Sequence, residues 1–281
     1  MTNLSPPFET PLSSTLPNLG AWTNYFQVAQ IPVLKRTQES LEALRADEDR
    51  TDASSIGAMI SDDPLMTLKV LIHAAAQRSA RSTTEIETVI GALVMMGIPP
   101  FFAAFPFQQT IDDRLKSNLP ALAGLNEVIR RAYRSANFAL AVAVHRMDSD
   151  AAIIHAAALL HDFAEMLLWC HAPELALKIL SKQRHDSSLR SSMAQREVLN
   201  IELAELQQAL LKAWRLPSRF ARLSDSNNAL HPSARTVHLA VRLARHTAHG
   251  WNNPAIGDDI GEMALILNLS EAATQTLLED I

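Results

Sequence analysis

The segment AAALLHDFAEMLLW, Ala156 to Trp169, decides the reading of this chain. Leu159, Leu160, Phe163, Met166 and Leu167 recur at spacings of three and four, which predicts a helix buried on most sides. Into that apolar surface the sequence puts His161 and Asp162 side by side, with Glu165 one turn on. Such a pair can hold a divalent metal between an imidazole nitrogen and a carboxylate oxygen. It can equally be a satisfied core pair, with the carboxylate fixing the orientation of the ring. The dipeptide alone favours the second, structural reading.

Composition points the same way for the rest of the chain. Of 281 residues, 48% are apolar but only 5% aromatic, so the core must be built from Leu, Ala, Val and Ile. Only 8 glycines occur, which with the many alanines and leucines argues for an all-α fold. The net charge of −5 disfavours a nucleic-acid partner. The single Cys170 permits no internal disulfide and fits burial in a reducing compartment. The N-terminus has no signal-peptide pattern, and the longest uncharged apolar run, Phe138 to Val144, is far short of the ~20 residues a spanning helix needs. These features predict a cytoplasmic protein without a membrane partner.

The organisation follows from capping and breaking signals. Residues 1–19 carry Pro6, Pro7, Pro11 and Pro17 and are expected to form a flexible leader. Ile31 to Leu34 then opens the folded part, followed by helices over Thr37–Ala46 and Ser54–Ile60. Asp63-Pro64 is a strong helix start, because Asp63 can accept from orphan amides and Pro64 suits the first helical position. Thr84 and Glu87 have capping-box spacing for the next helix, which Gly97 stops; Pro99-Pro100 begins another. Asp112 to Leu119 is polar and reads as a boundary. Long helices are expected over Asn126–Arg146 and Ser192–Trp214, with Asp148, Ser149 and Asp150 capping the central helix between them. A short helix over Arg219–Leu223, a polar loop, a helix over Val237–His249 and a final helix capped by Ser270 complete about twelve helices. The division drawn from these signals is 1–19, 20–111, 112–252 and a C-terminal extension 253–281.

Two basic stripes stand out. Lys69, His73, Arg78 and Arg81 form one, and His238, Arg242, Arg245 and His249 the other. Both read as solvated helix faces before they read as sites.

Five motifs in order carry a family resemblance: IPVL (31–34), ISDDPLMTLKVL (60–71), the segment to Gly97 ending in ALVMMGI, LLHDFAE (159–165) and REVLNIELAELQQALLKAWRLP (196–217). Together they resemble the HDOD domain, the output-type relative of the HD phosphohydrolases found in bacterial signalling proteins. The resemblance covers Ile31 to His249 and implies two packed helical subdomains, the second similar to the HD superfamily. In active HD enzymes an upstream His, the His-Asp pair and a downstream Asp surround a metal. Here the upstream position, just before Ser135, falls on Arg134, and the downstream one on Val241. A histidine common in the 196–217 segment is replaced by Leu203, and the doublet near Leu223 to Asp225 has no His.

A catalytic divalent site needs about three protein ligands and an open position. His161 and Asp162 alone do not supply that, and Arg134 would place a cation where the metal belongs. The expectation is therefore a vestigial site in which Arg134 pairs with Asp162, with no catalytic residue, metal or cofactor, and with Glu165 and Ser135 beside a ligand cleft. The function implied is a non-catalytic signalling module acting through an unidentified signalling protein or a small ligand, its oligomeric state open. The alternatives are a metal-dependent phosphohydrolase of a nucleotide or cyclic dinucleotide, and a nucleic-acid-linked regulator using Lys69, Arg78, Arg81 and the Arg242/Arg245 stripe.

Overall fold

A computed structural model describes residues 10–77, 85–186, 188–225 and 231–281. Among these the chain is all-α, with one isolated parallel bridge, Val33 to Thr110. The helices are α1 (Leu19–Val28), α2 (Lys35–Ala46), α3 (Ala53–Ser61), α4 (Pro64–Gln77), α5 (Val89–Met96), α6 (Ile98–Ala104), α7 (Ile111–Leu115) and α8 (Leu119–His145). Then come α9 (Ala151–Leu159), α10 (Phe163–His171), α11 (Pro173–His185), α12 (Ser191–Leu199), α13 (Leu203–Ala213), α14 (Ser218–Ser224), α15 (Pro232–His246), α16 (Ile256–Leu267) and α17 (Glu271–Glu279).

Two compact units form, each from two stretches of chain. The first comprises 1–128 and 163–217, the second 129–162 and 218–281. The boundaries drawn from sequence at 111 and 252 do not coincide with them, because the chain leaves the first unit within α8 and re-enters it at Phe163.

In the first unit α3 packs on α5, α1 on α13, and α10 on α4, α7, α11 and α13. One apolar cluster joins Val33, Ile56, Ile60, Met66, Val70 and Phe101. Asp63 organises this unit as the sequence implied. Its Oδ1 accepts from the amides of Leu65 and Met66 at 2.9 and 3.0 Å, capping α4, while Oδ2 accepts from the Leu34 amide at 2.8 Å. The side chain is wholly buried, and burial pushes its carboxyl up despite these amides and Thr37, which pull it down.

Several expectations require correction here. The folded part opens at Leu19, not Ile31: Asn18 caps α1 by accepting from Ala21, and Trp22 is fully buried, its Nε1 donating to Leu199 O at 3.0 Å. Thr84, Arg78 and Arg81 lie outside the described residues; α5 begins at Val89, where the Thr88 side chain accepts from Gly91. The polar 112–119 stretch holds α7, which Thr110 and Asp113 start with a capping box. The expected helix from Ser192 to Trp214 is two helices, because Asn200 takes the left-handed conformation (φ 63°) and ends α12. The central segment is also two helices, α9 and α10, joined by a turn over 160–162. By length and composition alone Ala151–His171 is apolar enough to cross a membrane, but most of it is buried within the fold.

In the second unit α15 packs on α9, α14 and α16, and α16 on α17. Val237, Ala240, Leu243 and Ala244 form the buried face of α15. Helix α16 was missed from sequence. It matters because Asp259 on it is buried and takes Arg242 Nε at 2.5 Å and His246 Nδ1 at 2.6 Å. Asp150 does not cap α9 with its side chain but pairs with Arg219.

Candidate functional site

His161 and Asp162 sit in the turn after α9, in the second unit. Turning the backbone there brings both side chains to α15, His161 beside His238 and Asp162 beside Arg245. Asp162 Oδ1 accepts from His161 Nδ1 at 2.9 Å and from Arg245 Nη2 at 2.8 Å. Its Oδ2 lies 3.8 Å from Arg131 Nη2. The expected partner is therefore wrong. Arg134, one helical turn beyond Arg131, donates to the Thr247 carbonyl and lies over the Phe138 ring at 5.5 Å. Arg131 reaches the carboxylate instead because it lies one turn closer to the start of α8 than the residue expected there.

The carboxylate is only 13% exposed, and burial pushes its pKa up. Arg245, the hydrogen bond and charge of His161, and Arg131 together overcome that and hold it well below the usual carboxylate range. His238, on α15, meets the His161 ring edge-to-face with centroids 5.7 Å apart. Its Nε2–H donates to the Asp225 carbonyl at 3.0 Å, which fixes the tautomer. Burial and the neighbouring His161 lower the His238 pKa, against the Asp225 carbonyl.

Two residues of the second basic stripe, His238 and Arg245, join this cluster, although Arg245 stays half exposed. Arg245 and His238 close on Asp162 and His161, Arg242 binds Asp259 and Glu262, and only His249 is simply exposed. Ser135 is buried and donates to the Ala132 and Ala158 carbonyls at 2.8 and 3.1 Å, so it braces α8 against α9. Glu165 belongs to the first unit, where its carboxylate accepts from Trp169 Nε1 at 3.5 Å. Leu203 is buried in the first unit and Val241 in the second.

A divalent metal does not fit these residues. Both oxygens of Asp162 face guanidinium groups, and among the described residues no three His, Cys, Asp or Glu side chains converge as a metal-binding group. What the arrangement does chemically is neutralise one buried carboxylate with two cations and orient an imidazole.

The HDOD domain family model matches residues 31–229, and the chain belongs to that family. Among solved structures it is similar to the MmoQ response regulator of Methylococcus capsulatus str. Bath, with 19% identity, a TM-score of 0.65, and 90% of this chain and 99% of that one covered. It is also similar to a virulence factor of Campylobacter jejuni subsp. jejuni, at 18% identity and a TM-score of 0.65, covering 94% and 96% of the two chains. At these identities the likeness is one of fold. No curated protein matches.

Proposed function

We propose that this chain is a non-catalytic signalling module of a bacterial cytoplasm, acting through a protein partner or a small ligand, in which the HD site has become a structural ion cluster. The observation that carries this reading is the double guanidinium clamp on Asp162, from Arg131 and Arg245. A metal at that carboxylate would have to displace two cations. The signalling role is supported by membership of the HDOD family and by the response-regulator label of the Methylococcus relative. The net charge of −5 argues against a nucleic-acid role.

The reading is tested by incubating the full chain with bis(p-nitrophenyl) phosphate and with a cyclic dinucleotide, each with Mn²⁺ or Mg²⁺. No turnover above buffer is expected. Metal-dependent turnover that disappears in His161→Ala would return the phosphohydrolase reading to first place.

A further inference from the structure

The first unit contains a cavity of about 490 Å³, bounded by α4, the end of α6 and the segments around Gln30 and Gln108. This is ligand-sized, within the roughly 300–1,000 Å³ of small-molecule pockets. Ile72, Phe105 and Phe107 supply apolar wall, and Lys69, His73, Gln30, Gln108 and Gln109 supply the polar side chains. The basic stripe on α4 is therefore not a solvated face at Lys69 and His73.

Lys69 is the unusual group here. Its ammonium donates to Gln108 Oε1, a neutral acceptor, and makes no ion pair among the described residues. Gln108 is itself fixed, because its Nε2 donates to the Pro106 carbonyl at 2.6 Å. Asp63 acts on the lysine only through its field, since its oxygens are taken by the amides of Leu34, Leu65 and Met66. A cation against an apolar wall with no contacting counter-charge is costly to hold. Burial accordingly pulls the Lys69 pKa down to about 8, against Asp63, which leaves it mostly protonated at neutral pH.

We propose that this cavity binds a small monocarboxylate with an apolar or aromatic body, its carboxylate on Lys69 Nζ and its body against Ile72, Phe105 and Phe107. One lysine matches one charge. A doubly charged phosphate would call for more positive charge than one lysine supplies, and among the described residues Lys69 is the one lysine or arginine in the lining. The site lies wholly in the first unit, so its failure would leave the reading of the Asp162 cluster untouched.

The test is calorimetric titration of the full chain with phenylacetate and with its neutral isostere phenylacetamide. Saturable one-site binding of phenylacetate is expected, with phenylacetamide about tenfold weaker or more, a loss of about 1.4 kcal/mol. Lys69→Met should lose the preference while keeping the helical circular dichroism of the parent. In the unsubstituted chain, phenylacetate affinity should fall as pH rises through about 8 and beyond, where Lys69 sheds its proton; Asp63 and His73 are the other titratable groups facing it. No binding at millimolar phenylacetate, equal affinity for acid and amide, or affinity unchanged across that pH range would each overturn the proposal.

Discussion

Arg245 Nη2 stands 2.8 Å from Asp162 Oδ1, linking the last turn of α15 to the turn that carries the His-Asp pair. Arg131 approaches the other oxygen at 3.8 Å. Removing the carboxylate takes away the anion that both guanidinium groups face. Because Arg245 is 51% exposed, Asp162→Ala should cost about 2–3 kcal/mol, less than the about 3–5 of a fully buried pair. Arg245→Ala should cost about 1 kcal/mol or less, the order of a half-exposed pair. Urea denaturation of the two variants measures this, and equal losses would contradict the asymmetry.

The same carboxylate sets an acid limb of stability. Its folded pKa is depressed, so its stabilisation is present above the unfolded value of about 4 and is lost as pH falls through the folded one. The stability gap between the parent and Asp162→Asn should be flat from pH 5 to 8 and should shrink below about pH 4. A gap that widens in acid would contradict the ion-pair assignment.

His171 gives a second, separable pH signature in the first unit. Its Nε2–H donates to the Gln30 carbonyl at 2.8 Å, and Nδ1 is left to accept from the Tyr25 hydroxyl at 3.3 Å. Burial, then Arg114, pull its pKa from 6.5 to about 4, against the Gln30 carbonyl. The unfolded chain therefore binds the extra proton between pH 6.5 and about 4, and stability should fall as pH falls through that window. The full loss is on the order of 3 kcal/mol, of which about 2 falls between pH 7 and 5; it is absent in His171→Gln and is read from denaturant midpoints at pH 7, 6, 5 and 4. Parallel pH curves for parent and variant would count against the buried neutral ring.

Asp63 joins a helix cap to a distant amide, so its loss should exceed that of an ordinary cap. Asp63→Ala leaves the buried amides of Leu34, Leu65 and Met66 unsatisfied and should cost about 3 kcal/mol or more. Asp63→Asn keeps one acceptor oxygen and should cost less. Thermal melts that rank the two the other way would contradict the role of the second oxygen.

Trp214 ends α13 with its ring tilted against Phe163, centroids 5.8 Å apart, and its Nε1 donating to the Gln27 carbonyl at 3.3 Å. Trp214→Ala opens a cavity and strands that carbonyl, at a cost of about 3–5 kcal/mol. An unchanged melting temperature would contradict this placement.

What the sequence made legible were features with one-residue signals. Asp63-Pro64, Gly97 and Ser270 each mark a helix end by a local property of one or two residues, and each does so in the structure. The breaks at Asn200 and at 160–162 were hidden, since an asparagine in the left-handed conformation and a turn within an apolar run leave the three-four pattern intact. Helix α1 was masked by its Pro-rich approach, although Trp22 and Phe26 stand four apart on it. At the site, the His-Asp pair was readable as residue types. Which arginine answers Asp162 was not, because Arg130, Arg131 and Arg134 share one helix within about a turn. The spacing of His238 and Arg245 on α15 carried the missing signal, and a solvated face explained it equally well until the fold placed α15 against α9.

The most direct measurement is a titration of the full, metal-stripped chain with Mn²⁺ and Fe²⁺ by calorimetry, with metal content of the purified protein by mass spectrometry. A carboxylate clamped by Arg131 and Arg245 predicts no stoichiometric metal and no saturable site at micromolar concentration. One equivalent bound by the parent, and lost in both His161→Ala and Asp162→Ala, would contradict it.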